Sequence, residues 1–266
     1  VPSFETKDFP MCDACCSPGL SRRSFLRLGL GGGAAVALGG CDRLPSLVSD
    51  AEVAAMGEQA WRDMRAKIPV SRNAGYREAM GEVTTRLLRA AGHSPGDWEV
   101  AVFASPQVNA FALPGNKIGV YEGMMGIFEN RDQLAAVVGH EIGHVEAEHS
   151  KERISAQMAS NAALRLVAWL LNIGEVEYAQ EIVAALGLGA EVGVLLPYGR
   201  EQEEEADVLG LRTMVRADYR ADQAVRLWQV MDEVSGRRGP EFLATHPAPR
   251  SRIRNLEEAI RALQSA

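Results

Sequence analysis

Residues 130–150 read Asn-Arg-Asp-Gln-Leu-Ala-Ala-Val-Val-Gly-His-Glu-Ile-Gly-His-Val-Glu-Ala-Glu-His-Ser. Leu134, Val137, Val138, Ile142 and Val145 recur at the three- and four-residue spacing of one helical face. Asn130 can cap the first turn, and Asp132 complements the positive end of the helix dipole. The pattern predicts a helix over residues 131–150. Inside it, His140-Glu141-Ile142-Gly143-His144 is an H-E-x-x-H sequence. Two imidazoles four residues apart stand one turn apart on one face, so both can reach a single Zn²⁺ at about 2.0–2.1 Å. Glu141 is turned about 100° from His140. Its carboxylate falls beside the ion rather than on it, where a general base must sit to take a proton from water. The bland alternative is a helix with two unrelated histidines. Their place beside apolar positions argues against it, because unpaired buried imidazoles cost free energy.

Two histidines do not hold zinc, and a catalytic site needs a third protein ligand. The candidates are His93, His149, His246 or a carboxylate. His93 lies in a Gly/Pro turn and reads as a solvated residue. On a continuous helix His149 is about 140° away from His144 and cannot share the ion without a break. The acidic run Glu201, Glu203, Glu204, Glu205, Asp207 opens a later helix. A few acids there complement the helix dipole, but this run exceeds that need. Periodicity does not choose between Glu203, which has Asp207 one turn on, and Glu204, in line with Val208 and Leu211.

Outward from this centre, residues 51–67 and 74–91 read as helices, the second ended by Gly92. Ser94-Pro95-Gly96-Asp97 is a turn. Residues 98–103 alternate as a strand, 109–113 form a second, and Pro114-Gly115-Asn116 turns the chain into a third over Lys117–Tyr121. A short helix starts within 122–129. Residues 153–172 and 176–196 are apolar and Ala-rich; they read as two core helices, with a lid or membrane-facing surface as the sharper alternative. Residues 200–216, 221–234 and 250–263 give three more helices. The fold class is α+β, mostly helical, with one small three-stranded sheet.

The chain has 266 residues, 28 Lys+Arg and 35 Asp+Glu, a net charge of −7. That balance argues against a nucleic-acid partner, which calls for a basic face. No apolar run reaches the roughly 18 residues of a membrane span. Cys12, Cys15 and Cys16 cluster near the start and Cys41 is the fourth, which excludes a disulfide scaffold for the rest. Ser21-Arg22-Arg23-Ser24-Phe25-Leu26 followed by the uncharged, Gly-rich residues 28–40 has the layout of an export signal and resembles the twin-arginine type. Leu38-Gly39-Gly40-Cys41 resembles a lipobox, which implies cleavage before Cys41 and acylation of its thiol. Residues 1–40 are therefore expected to be removed, 41–50 to be a linker from a lipidated Cys41, and 51–266 to be the functional domain. Met11 offers an alternative start. The expected location is the bacterial cell envelope, facing the periplasm, with Asp42 resembling an inner-membrane retention signal. Residues 42–266 remain acidic, so the acyl anchor rather than charge would carry membrane association.

The chain over residues 50–260 resembles the gluzincin metallopeptidases of family forty-eight, which include the bacterial heat-shock protease HtpX and the CAAX prenyl endopeptidases. Four stretches carry the resemblance: the H-E-x-x-H pair; Arg200-x-x-Glu203-x-x-Ala206-Asp207; Asn109-Ala110-Phe111-Ala112-Leu113-Pro114-Gly115; and His246-Pro247 followed by Arg252. The long apolar spans of the family's membrane-embedded members are missing, so the sequence looks closer to soluble periplasmic ones. The resemblance implies a gluzincin metalloprotease domain with one Zn²⁺ per chain, held by His140, His144 and Glu203. It implies Glu141 as general base, Asp207 as outer acceptor for a ligand histidine, and Asn109, Ala110 and Phe111 at the sheet edge that meets substrate. The implied activity is zinc-dependent endopeptidase action on unfolded or flexible envelope proteins, in protein quality control.

His246 has three readings: a structural histidine of the Pro-rich turn, an oxyanion donor at the family position, or a fourth ligand that plugs the metal's open position. A competing function is a non-catalytic lipoprotein that keeps zinc as a clip and holds clients. Glu141 argues against it, since a structural site has no use for a base beside the ion. The oligomeric state is not legible.

Overall fold

Ser49 opens the first helix through a reciprocal cap: its hydroxyl accepts from the Glu52 N–H, and the Glu52 carboxylate accepts from the Ser49 N–H at 2.9 Å. The computed structural model describes residues 47–173, 196–234, 242, 246 and 250–264. The chain divides into units Val1–Arg43 and Leu44–Ala266, and the described residues belong to the second. The expected export signal, Cys41 and the helix expected over 176–196, apart from Leu196, lie outside them.

Helix α1 (Asp50–Lys67) is followed by α2 (Ala74–Ala90), capped by the Asn73 side chain and closed by Gly92 in the left-handed region at φ 86°. Then come β1 (Glu99–Phe103), β2 (Ala110–Leu113) and β3 (Lys117–Tyr121). The sheet order is β1-β3-β2, with β1 parallel and β2 antiparallel to β3. Gly115 and Asn116 take positive φ in the turn between β2 and β3. Strand alternation divides the sheet into two apolar faces. Val102, Ala110, Ile118 and Val120 join the main core with α2 and the later helices. Phe103, Phe111 and Tyr121 meet Trp61 of α1 on the other face.

The remaining elements are α3 (Glu122–Met125), α4 (Arg131–Glu146), α5 (His149–Ile173), α6 (Leu196–Arg216), α7 (Asp222–Val234) and α8 (Arg250–Gln264). The mostly helical α+β architecture with a three-stranded mixed sheet is the one expected. Two boundaries differ. The helix expected over 131–150 stops at Glu146, because Glu148 adopts φ 57° and breaks it. A new helix then starts at His149, four residues before the expected one. Along α5, Leu166 and Trp169 are more than half exposed, so the core reading does not hold for their side chains. This helix is tied down near its start, where Ser155 accepts from the Leu47 N–H and Lys151 pairs with Asp50.

Among the described elements, helices α4 and α6 share the most extensive contact, and small residues permit it. A Cβ on Gly143 would stand 2.7 Å from the Ala206 carbonyl oxygen, and one on Gly210 would stand 2.9 Å from the Gly139 carbonyl carbon. Gly139 and Gly143 lie one turn apart, as do Ala206 and Gly210. Their backbones touch, which carries the acidic first half of α6 to the histidine face of α4.

Candidate metal centre

Helix α4 is held in place by what flanks its histidines. The Asn130 side chain caps its first turn, accepting from the Gln133 N–H at 3.0 Å. Leu134, Val138 and Ile142 are fully buried. His140 and His144 project toward α6, with their Nε2 atoms 3.0 Å apart. Glu203 enters from the first half of α6. Its Oε2 lies 3.3 Å from His140 Nε2, and its Oε1 3.2 Å from His144 Nε2. His246 Nδ1 lies 2.9 Å from Glu203 Oε1 and 3.3 Å from His140 Nε2. All four residues are buried, and their ligand atoms lie within 4.8 Å of one another. Tetrahedral ligands about 2.0–2.1 Å from a zinc ion stand roughly 3.3–3.4 Å apart. The spacing and the nitrogen and carboxylate donor set therefore fit such an ion.

Electrostatics separate the two helix histidines. Burial drives His144 down to about 3, helped by the charge on His140. At His140 burial acts the same way, but hydrogen bonds to Asp207 and Glu203 overcome it and raise the imidazole to about 9. Burial opposes ionisation of Glu203, yet the surrounding histidines hold its carboxyl well below the usual carboxylate range. Asp207 is also buried and also held low, by the Arg252 charge and by His140.

Around the four donors stands an outer layer. Asp207 Oδ1 is 3.0 Å from His140 Nδ1. Arg252, itself buried, donates from Nη1 to Glu203 Oε2 at 2.7 Å and grips both oxygens of Asp207 from Nε and Nη2 at 2.7 and 2.8 Å. Its guanidinium lies 4.0 Å over the Trp228 ring. His246 stacks on Phe242 with ring centroids 4.4 Å apart. Glu141 is 1% exposed, and its Oε1 is a buried atom with no hydrogen-bond partner, 3.6 Å from His246 Nε2. An orphaned carboxylate oxygen at this place needs an external donor such as water.

Glu203, not Glu204, faces the histidines; Glu204 is exposed and accepts from Asn255. His246 sits in the cluster, so a turn histidine remote from it is not what the fold builds. His93 is partly exposed at the surface, 2.9 Å from Glu146 Oε1 and against Trp98. Ala110 is buried in the main core, and Phe111, half-buried, packs against Trp61 and over Gly119. The Asn109 carbonyl accepts from the Tyr121 N–H at 3.0 Å, while its buried Oδ1 has no partner. Two contributors were not foreseen. Arg252 appeared only as the end of a motif; nothing in composition says that an arginine lies under two carboxylates. Helical spacing excludes His149 only on the premise of an unbroken helix. The break at Glu148 instead puts its Nδ1 2.8 Å from His144 Nδ1.

An H-E-x-x-H helix completed by a glutamate from a later helix is the arrangement of the gluzincin class of metal centres. Residues 75–260 match the family described as Peptidase family M48, and the chain belongs to that family. Among its relatives, the mitochondrial metalloendopeptidase OMA1 of Schizosaccharomyces pombe is 36% identical over 182 residues, covering 67% of this chain and 51% of the relative. OMA1 of Arabidopsis thaliana is 29% identical over 214 residues, 80% of this chain and 42% of the relative. The beta-barrel assembly-enhancing protease of Escherichia coli K12 is 26% identical over 208 residues, 74% and 42%. The chain spans about half the length of the curated relatives it matches or somewhat less.

Proposed function

We propose that this chain is a zinc-dependent endopeptidase that hydrolyses peptide bonds in unfolded or flexible proteins of the bacterial cell envelope, held at the membrane through an acylated Cys41. The carrying observation is the buried cluster of His140, His144, Glu203 and His246 with the unpartnered Oε1 of Glu141 beside it. A zinc ion in such a cluster would act as a Lewis acid toward water and a peptide carbonyl. Glu141 Oε1 takes the proton of the attacking water and passes it to the leaving amine. Asp207 and Arg252 hold His140 and Glu203 in place. Substrate adds as an extended strand along the outer edge of β2, the terminal strand of the sheet among the described residues, which reads shape more than sequence. The quality-control role draws support from the similarity to the E. coli beta-barrel assembly-enhancing protease. Periplasmic placement rests on the arginine pair and Cys41.

Glu141→Gln keeps the zinc and loses cleavage of an unfolded protein such as casein by about 10²–10⁴-fold. Zinc analysis beside that assay, with and without chelator, tests the reading. Wild-type rates in the zinc-loaded variant would remove Glu141 from the reaction, and cleavage unaffected by chelator would remove the metal. A clip that only holds clients would contain zinc and cleave nothing.

His246 supports a refinement. Its Nδ1 lies among the metal-facing atoms, which favours the plug over the oxyanion donor. The ring then swings out, pivoting from Phe242, to admit substrate. His246→Ala raises peptidase activity under this reading and lowers it under the donor one.

A further inference from the structure

We propose that His149 and Glu205 form an outer relay that fixes the tautomer and orientation of His144 for its metal, a positioning role that rests on the metal-centre reading above. His149 Nδ1 lies 2.8 Å from His144 Nδ1, and His149 Nε2 lies 3.3 Å from Glu205 Oε2. An ionised carboxylate only accepts hydrogen bonds, so His149 carries a proton on Nε2. The ring is 1% exposed, and burial disfavours the doubly protonated form. Its Nδ1 is then an acceptor, filled by His144 Nδ1–H. That leaves the lone pair of His144 on Nε2, the atom 3.0 Å from His140 Nε2 and 3.2 Å from Glu203 Oε1. With the opposite tautomer a hydrogen would point at the ion and His144 could not ligate. His140 meets the same requirement directly, through Asp207 Oδ1 at 3.0 Å from its Nδ1. Each helix histidine thus ends on a carboxylate of α6, one in a single step and the other through a second imidazole.

The backbone is bent to make this contact. Glu148 takes φ 57°, a conformation L residues adopt at a cost, and the next residue is His149. On a continued helix the two rings would diverge. The Glu148 carbonyl accepts from the N–H groups of Lys151 and Glu152, starting α5 at once. The Gln202 amide donates to the His149 carbonyl at 3.3 Å and to Glu152 Oε2 at 3.2 Å, which ties the bend to the turn of α6 that carries Glu205. Backbone strain kept in place by surrounding bonds marks a position where side-chain geometry matters.

The test uses the purified full chain and reads zinc affinity by chelator competition, with the visible absorption of the cobalt(II)-substituted protein as a second readout. His149→Leu removes the acceptor and weakens zinc by roughly ten- to hundred-fold, the loss expected when an outer partner of a ligand histidine is removed. His149→Asn returns an amide oxygen to the place of Nδ1 and restores most of the affinity and the cobalt spectrum. Glu205→Ala, at a half-exposed side chain, gives a smaller loss of the same sign. Wild-type affinity in His149→Leu overturns the proposal, as does a loss in His149→Asn equal to that in His149→Leu. If His149→Leu does not fold, Glu205→Ala decides, and unchanged affinity there overturns it. A wild-type chain that binds no zinc at all is a separate result and defeats the metal-centre reading itself.

Discussion

Arg252 shows how one residue can hold a buried site together. Its fork spans Glu203 and Asp207, and its flat face rests on Trp228. At this depth Asp207 stays ionised chiefly because the guanidinium offsets its desolvation, while Glu203, held low by the histidines, also accepts from Arg252. Arg252→Met should therefore destabilise the chelator-treated protein by about 3–5 kcal/mol, the usual cost of leaving a buried charge unpaired. The zinc-loaded protein should lose less, since Glu203 then keeps a cation. Urea melts of both forms check this. An equal loss with and without metal would mean that the arginine serves packing rather than charge.

Among the elements, the α4–α6 seam decides whether the ligands meet. Glu203 and the two histidines lie about sixty positions apart in the chain, and backbone contact at Gly143 and Ala206 closes that gap. A methyl on Gly143 has no room, and overpacking of this kind costs about 1–3 kcal/mol. Gly143→Ala should lower stability by that amount and weaken zinc as well, because the helices part where His144 and Glu203 face each other. Calorimetry with chelator competition measures both. Full zinc affinity in a destabilised Gly143→Ala would show that the site tolerates a wider seam. Gly81, with nothing within 4 Å of its position for a Cβ, is the control; Gly81→Ala on the surface of α2 should stabilise slightly.

Across the whole molecule, the buried titratable groups set how stability follows pH. His144 is held near 3 against an ordinary value of 6.5, so below pH 6.5 the unfolded chain takes up a proton first and stability falls. His140, raised to about 9, contributes fully below pH 6.5 and fades as pH rises toward 9. Glu203 and Asp207 are both depressed, so their contributions persist above their ordinary values of 4.5 and 3.8 and are lost in stronger acid. The signs combine into a maximum. The melting temperature of chelator-treated protein should peak near pH 6.5 and decline on both sides. A profile that rises steadily from acid to pH 9 would contradict the opposed shifts of the two histidines.

His140, Glu141 and His144 were legible because an α-helix turns local spacing into geometry, and the apolar face of α4 announced that helix. The three strands were legible for the same reason, alternation being a local property. Glu203 and Glu204 were not separable by period, since both are compatible with a helix whose facing partner is unknown. The sequence by itself determined the helix, its histidine pair and the glutamate between them. Periodicity left the carboxylate open and the motif resemblance pointed to Glu203; only the tertiary structure decided that Arg252 lies beneath it and that a left-handed Glu148 returns His149 to the site. Those choices depend on contacts between residues far apart in the chain, where steric fit and burial of charge override local preference.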